Sequence, residues 1–316
     1  MRFRHGLFRV LAAGLIAAPL FLALAALGGM RNQYADLLVQ FVAPTTIGTL
    51  ALVAGFAAAR KWRWSAMACG VAALLLVAVW PQWFPIASRP ANGAPSIRIY
   101  SANVWVRNTD VDAIAASIRD ADADADVVML IELGDATAPR LDDLVRDYPH
   151  RVASPRIDRP NGTVRSVIAS RYPLRASPRP IGVEAVSAVA ITLLGPVNLI
   201  SVHLTRPWPF EESWGQISQT MGLEQTVRGL VGPVIIAGDF NSVSSARIGR
   251  QVQDKIGLRP APGFPGTWPS ALPPPLSITI DQVYASPELA FTSRRLGRVN
   301  GSDHRPVIVE VTRAAR

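Results

Sequence analysis

The chain has one cysteine among its 316 residues, and this cysteine lies at position 69 within an apolar stretch. No disulfide can therefore form within the chain. Residues 91–316 contain no cysteine at all, which excludes both a catalytic thiol and a thiolate zinc site from that part. A glycine-rich loop of the kind that binds a dinucleotide is missing as well, so the sequence offers no sign of such a cofactor.

Acidic residues are nearly absent from the first 90 positions, which hold eight basic residues and one acidic residue. The remaining positions hold 24 basic and 22 acidic residues, so the formal net charge of +9 comes mainly from the first part. The second part lacks the excess of basic residues that a nucleic-acid-binding domain carries. Composition thus divides the chain into an apolar membrane anchor, 1–90, and a domain of ordinary globular composition, 91–316.

Three apolar stretches in the first part are long enough to cross the hydrocarbon core of a bilayer, which takes about 20 residues. They cover residues 7–29, 37–59 and 64–85. Basic residues precede the first stretch, and Arg60, Lys61 and Arg63 fill the link between the second and the third. By the positive-inside rule we expect a multi-pass anchor in the plasma or inner membrane, with residues 90–316 facing the periplasm or exterior. A cleaved signal peptide at the first stretch is the alternative.

The second part alternates Val- and Ile-rich runs with amphipathic stretches. Eight runs bounded by Pro, Gly or Asn predict strands at 97–104, 127–133, 164–170, 186–194, 197–204, 234–240, 280–285 and 307–311. Helices are predicted at 110–122, 136–147, 212–230 and 244–256. Many strands and few helices predict an α/β domain made of a two-sheet sandwich flanked by helices, in four layers, after three transmembrane helices.

Side chains able to bind a metal or a phosphoryl group stand at the ends of these strands. They are Asn103, Glu132, His203, Asp239, Asn241, Asp281, Asp303 and His304. Each alone has a simpler explanation, such as a turn cap or a buried histidine. A random scatter would place several of them within helices or loops. A divalent cation and a phosphoryl group together need this mixture of carboxylates, amides and imidazole, so the set predicts a metal-dependent phosphoesterase.

The order of these residues resembles that in the endonuclease/exonuclease/phosphatase superfamily, the deoxyribonuclease I-like proteins. Residues 238–241 (Gly-Asp-Phe-Asn) and 302–306 (Ser-Asp-His-Arg-Pro) are the most specific motifs, and the resemblance extends over 95–312. The anchored layout, with Gly-Thr-Trp-Pro at 266–269, is similar to the bacterial membrane-anchored branch. Gln282, where many relatives have His or Tyr, departs from the pattern beside the site, which bears on the substrate and not on the chemistry.

The resemblance implies a metal centre. Glu132 would be the main protein ligand of one Mg²⁺ or Mn²⁺ ion, with Asn103 and Asp303 adjacent to the metal. Carboxylate and amide oxygens suit a hard cation of this kind.

The resemblance also implies catalytic roles. Asp239 would hold the attacking water and remove its proton, while Asn241 would bind the phosphate or orient Asp239. His304, held by Asp281, and His203 would each donate a hydrogen bond to a phosphoryl oxygen.

Three functions are consistent with the sequence. A phosphatase or phosphodiesterase acting on a phosphorylated, lipid-linked substrate at the outer face of the bilayer is favoured by the anchor and the near-neutral domain. A membrane-tethered nuclease is the second, since Trp105, Trp208, Trp214 and Trp268 could stack on bases, although core packing suits most of them better. A non-catalytic binding protein is the third, and the complete set of polar residues argues against it.

Overall fold

The computed structural model describes residues 2–28, 32–122, 125–159 and 162–315. The described residues of its first part are mainly helical. The helices are α1 (Arg2–Leu27), α2 (Gln33–Val39), α3 (Val42–Ala58) and α4 (Trp62–Trp83). Arg31, in the link between the first two predicted spans, lies outside the described residues.

Two of these helical segments, Gly6–Leu27 and Trp62–Trp83, are long and apolar enough to cross a membrane. The second predicted span is instead divided between α2 and α3, which meet at an angle of 56° and make a third span only if the bent pair counts as one. Pro44 explains the break, because proline has no N–H and its ring collides with the carbonyl of the residue four positions earlier, here Gln40. The expectation of three continuous spans is thus reduced to two, with a bent pair between them.

The second part contains the strands. They are β1 (Ser96–Asn103), β2 (Val127–Leu133), β3 (His150–Ala153), β4 (Ile157–Arg159), β5 (Gly162–Ser170), β6 (Leu174–Ala176), β7 (Glu184–Thr192), β8 (Gly195–His203), β9 (Val234–Asp239), β10 (Arg259–Pro260), β11 (Asp281–Ala285), β12 (Leu289–Leu296) and β13 (Val307–Arg313). The helices between them are α5 (Val111–Asp122), α6 (Leu141–Leu144), α7 (Ser213–Arg228) and α8 (Arg247–Gln251), the last continued by a wider turn at Val252–Ile256. All eight predicted strands are present.

The strands form two mixed sheets. The first has the order β12-β13-β1-β2-β5-β3, with β4 also paired to β5, and the second has the order β10-β11-β9-β8-β7-β6. The pairs β1–β2 and β8–β9 are parallel, and the other pairs are antiparallel. The two-sheet sandwich flanked by helices is thereby confirmed.

Period-two burial explains the four layers. In β1, Ile97 and Ile99 face the second sheet and join a core that includes Leu199 and Ile235. Tyr100, which follows Ile99 and points to the opposite face, packs with side chains of α5 and α6 in a second core. A third core lies between the second sheet and helices α7 and α8. Strands that are buried on both faces have continuous apolar sequences, which is why the central strands are easily identified from the sequence.

The helices of the first part pack directly against the second part. Their apolar side chains share one cluster with Val243, Ala246, Ile278 and Ile280 of the second part. The backbone N–H of Gly263 donates to the Gln82 carbonyl at 2.7 Å. The boundary that we expect near residue 90 stays a prediction, but contacts between the two parts are extensive.

Candidate active site

The eight side chains singled out in the sequence converge at one edge of the sandwich. In the second sheet the strand register sets His203 and Asp281 on either side of Asp239. In the first sheet, the neighbouring strands β1 and β2 carry Asn103 and Glu132 at or near their carboxyl ends. Contacts between these side chains connect the two sheets at this edge.

Glu132 owes its direction to a local irregularity in β2. The pairing of β2 with β5 shifts register between Leu130 and Leu133, and Glu132 has a φ of +56°. A bulge of this kind re-aims a side chain that regular pleating would send elsewhere. A non-glycine residue in this left-handed region also costs free energy that the surrounding structure must offset.

Asn103 links the two sheets. Its Nδ2 donates to Glu132 Oε1 at 3.1 Å and to Asp239 Oδ2 at 3.2 Å. Its Oδ1 accepts from the backbone N–H of Trp105 at 2.9 Å, while Glu132 Oε2 accepts from that of Val106 at 3.0 Å. These bonds hold three buried or partly buried side chains in one fixed arrangement.

Asp239 is oriented by the turn that follows it. Its Oδ1 accepts from the backbone N–H of Asn241 at 2.7 Å, which forms an Asx turn. The side-chain Nδ2 of Asn241 donates to the Leu204 carbonyl at 2.9 Å. Asn241 therefore orients Asp239 through its main chain, and its amide is committed to the protein. A Cβ on Gly238 would lie 2.0 Å from the carbonyl oxygen of Val202, its partner in β8, so strand β9 requires glycine there.

His304 and Asp281 form a buried pair. His304 Nδ1 lies 3.0 Å and 3.1 Å from the two carboxylate oxygens of Asp281. The opposite nitrogen, Nε2, lies 3.8 Å from Asp239 Oδ2 and 3.9 Å from Asp303 Oδ1. Ser302 fixes the loop by donating to the Asn103 carbonyl and accepting from the His304 backbone. One ring nitrogen is thus anchored while the other faces the site.

His203 stands on the other side of Asp239 in a similar way. Its Nε2 lies 3.2 Å from Glu132 Oε1 and 4.0 Å from Asp239 Oδ2, and its Nδ1 lies 3.7 Å from Glu184 Oε2. Glu184 pairs with His203 in the strand register and is buried. It is absent from the sequence-based set, although an acidic residue directly ahead of the apolar run at 186–194 was a signal.

The electrostatics of the site follow from burial and proximity. Burial raises the pKa of Asp239 to about 6, against the opposing charges of His304 and His203. Burial by itself lowers the pKa of both histidines, but the carboxylates around them outweigh it. Among the carboxylates, Glu184 contributes most to raising the pKa of His203, to about 9. Asp281 contributes most to raising the pKa of His304, to about 10. At neutral pH both imidazoles are therefore protonated donors.

The donor set fits a hard divalent cation. Asp303 Oδ1 is buried and has no hydrogen-bond partner among the described residues, while its Oδ2 accepts from Trp268 Nε1 at 3.2 Å. Ligand atoms of Asp239, Asp281 and His304 lie within 4.8 Å of one another, so this buried group could bind a metal. In that group, however, the Asp281 oxygens already face His304 Nδ1. Carboxylate oxygens in excess of the two imidazolium charges favour a cation.

A sequence profile decides the family. The profile described as the Endonuclease/Exonuclease/phosphatase family matches residues 100–304. The chain belongs to this family. All eight predicted site residues fall within the match. Members of the Endonuclease/Exonuclease/phosphatase family are hydrolases of phosphoester bonds and generally use divalent metals. Among curated protein sequences, none matches the chain significantly.

Solved structures of the same family share the fold. An endonuclease/exonuclease/phosphatase from Bacteroides vulgatus has a TM-score of 0.56 at 14% identity, over 69% of this chain and 99% of that one. One from Beutenbergia cavernae has a TM-score of 0.53 at 18% identity, over 70% and 72%. A humanized D. rerio TDP2 has a TM-score of 0.53 at 16% identity, over 69% and 99%.

Proposed function

We propose that the protein is a membrane-anchored, divalent-metal-dependent phosphoesterase that hydrolyses a phosphate ester or pyrophosphate of a lipid-linked substrate at the outer membrane face. The observation that carries the chemistry is the convergence of Asp239 with two oriented imidazoles and the Asn103–Glu132 pair at a single edge of the sandwich. The chemistry also accords with the family.

Glu132, Asn103 and Asp303 would hold the cation, Mg²⁺ or Mn²⁺. When bound, such a cation polarises a phosphoryl oxygen and offsets the negative charge that accumulates during hydrolysis. Asp303 Oδ1, which accepts no hydrogen bond from a described residue, and the inward carboxylate of Glu132 support this assignment. Asn103 holds the Glu132 carboxylate in place.

Asp239 would act as the general base. The Asn241 backbone fixes one oxygen, and the other oxygen, Oδ2, faces the site between the two histidines. With a pKa of about 6, its carboxylate is largely ionised at neutral pH and can accept a proton from an attacking water.

His304 and His203 would bind the phosphoryl oxygens. Both Nε2 atoms lie within 4.0 Å of Asp239 Oδ2, so donors from the two imidazoles converge where the reacting group must sit. Asp281 and Glu184 keep the rings oriented and protonated. Most of the rate enhancement then comes from positioning and electrostatics, as is general for phosphoryl transfer.

The loop after His203 supports a lipid substrate. Trp208 packs edge-on against Tyr34 of α2 with ring centroids 5.0 Å apart. Farther along, the side chains of Phe210 and Trp214 are 69% and 63% exposed. Aromatic side chains of this kind are enriched at membrane–water interfaces. We infer that this loop rests on the lipid headgroups, which puts the site within reach of a substrate that stays in the bilayer.

A substrate comparison tests this function. The full chain in vesicles containing a polyprenyl pyrophosphate is expected to release phosphate in the presence of Mg²⁺, and to leave supercoiled plasmid intact at the same enzyme concentration. Asp239→Asn serves as the control for contaminating activity in both assays. Plasmid nicking without phosphate release would instead establish the membrane-tethered nuclease.

The nuclease alternative has less support in the structure. Trp208 packs against Tyr34, and Trp268 donates its indole N–H to Asp303, so both rings already have partners in the protein. The near-neutral charge of residues 91–316 also argues against a nucleic-acid substrate. A non-catalytic binding role would require neither oriented imidazoles nor a raised pKa of Asp239.

We further propose that the bent α2–α3 pair crosses the membrane as a third span, which places residues 90–316 on the periplasmic or outer face of the inner membrane. The basic link at residues 60–63 between α3 and α4 supports it. An alkaline phosphatase fused after residue 315 is expected to be active, whereas a fusion at residue 61 is expected to be inactive. The reverse pattern would place the site in the cytoplasm and exclude an outer-face substrate.

A further inference from the structure

Two glutamine side chains are buried where the helices of the first part meet the sandwich. Gln40 lies at the break between α2 and α3, and Gln82 lies near the end of α4; they are 5% and 0% exposed. An amide buried among apolar side chains is unfavourable unless it forms hydrogen bonds. Both side chains form hydrogen bonds with the second part of the chain. These polar groups therefore stabilise the contact between the two parts of the chain and not the membrane span itself.

Gln40 bonds to the segment that follows the candidate base. Its Oε1 accepts from the backbone N–H of Val243 at 2.8 Å, and its Nε2 lies 3.3 Å from Ser242 Oγ. The same Nε2 donates to the Asp36 carbonyl at 3.3 Å, which caps the end of α2. The break at Pro44 is what turns residue 40 toward the sandwich.

Neighbouring contacts reinforce this attachment. Asp36 forms an ion pair with Arg247 at 2.7 Å, and Ser245 Oγ donates to Gln82 Oε1 at 3.3 Å. Segment 242–247 is therefore bonded to α2, to the α2–α3 break and to α4. It is irregular up to Arg247, where α8 begins. Within it the Ala246 N–H donates to the Val243 carbonyl at 3.1 Å, and from the second part Gln253 and Gln282 donate to the carbonyls of Ser244 and Ser242.

The same segment continues directly from Asn241, whose backbone orients Asp239. On the preceding side, Gln216 Nε2 donates to the carbonyls of Phe240 and Asn241 at 3.1 Å and 3.3 Å. Asn241 has a φ of +48°, a strained value that both flanks must maintain. Gln216 restrains one flank from the sandwich, and Gln40 restrains the other from the membrane segment.

We propose that Gln40 is a positioning residue of the active site. Its hydrogen bond to Val243 makes the bent α2–α3 pair part of the support that keeps Asn241 and Asp239 aligned. The membrane segment then contributes to the catalytic rate in addition to anchoring the chain. This inference rests on the proposed function for its effect on catalysis, but the structural coupling can be measured without any activity.

Hydrogen exchange of the full chain in lipid nanodiscs tests the coupling. Gln40→Met keeps the length of the side chain but leaves the Val243 amide without an acceptor. We expect amides 241–246 to exchange about tenfold faster than in wild type, the order expected for one lost buried hydrogen bond. Gln40→Glu retains an oxygen acceptor for Val243 and is expected to restore most of the protection.

Thr46→Val is the matched control. Thr46 is fully buried in α3, and its hydroxyl donates within the same helix to the Val42 carbonyl. Thr46→Val removes a hydrogen bond within α3 and none to segment 242–247, so amides 241–246 should exchange as in wild type. Equal exchange in Gln40→Met and Thr46→Val would overturn the proposal.

Steady-state kinetics in polyprenyl pyrophosphate vesicles provide the second readout. For Gln40→Met we expect kcat to fall about tenfold while KM stays within twofold, because an ordered base is lost and substrate contacts remain. A fall no larger than in Thr46→Val, or a rise in KM alone, would contradict a positioning role. If the wild type releases no phosphate, the proposed function fails, while hydrogen exchange still decides whether Gln40 holds the loop.

Discussion

EDTA is expected to abolish phosphate release by the full chain, with a loss of about 10²-fold or more, and added Mg²⁺ is expected to restore it. The reason is electrostatic. Glu132, Asp239 and Asp303 surround the place where a phosphoryl group must bind, and two imidazolium groups cannot balance both these carboxylates and an anionic substrate. A bound divalent cation supplies several kcal/mol of stabilisation to the developing charge, which corresponds to a factor of this size.

The same chelator saturated beforehand with Mg²⁺ is the control and should leave the rate unchanged. Glu132→Gln should raise the Mg²⁺ concentration for half-maximal rate, because it removes the charge of the proposed main ligand. Binding of Mn²⁺, followed by electron paramagnetic resonance, should weaken in parallel. An undiminished rate in EDTA would exclude the mechanism proposed for this site.

The central strands of the sandwich could be predicted because burial on both faces leaves an unbroken apolar run. Strand β2, Val127–Leu133, has the predicted bounds. The strands that sequence reasoning missed are short or lie at sheet edges, where one face and one edge meet solvent. In β12 the central residues include Thr292, Ser293 and Arg294, and only pairing with β13 makes them a strand.

The set of site residues could be predicted because strand ends are where side chains of distant segments meet. The contacts between them could not. The direction of Glu132 depends on a bulge, and the partner of His203 depends on which strand pairs with β8. Two helices were expected to be longer, and the stretch 244–246 proves irregular where the Ser245 hydroxyl bonds to Gln82 of α4. These features arise from tertiary contacts that a linear pattern does not contain.

Asp239→Asn is expected to lower kcat by about 10² to 10⁴-fold, the range that general base catalysis contributes. The change preserves shape, so the Asn241 backbone can still donate to the Oδ1 position at which it now bonds. What it removes is the ability of the side chain to accept a proton and the charge that faces His304 and His203. The loss should therefore appear in kcat with little change in the thermal-unfolding midpoint.

Asp254→Asn provides the matched comparison, because Asp254 is an exposed aspartate in the turn that continues α8 and lies outside the site. It should retain full activity under the same conditions. If Asp239→Asn kept more than a tenth of the wild-type kcat, another group would have to accept the proton. The nearest acidic side chains cannot take that role readily: Asp281 is bonded to His304, and Glu132 is bonded to Asn103 and assigned to the cation. Asp239 is therefore the carboxylate on which the proposed hydrolysis depends.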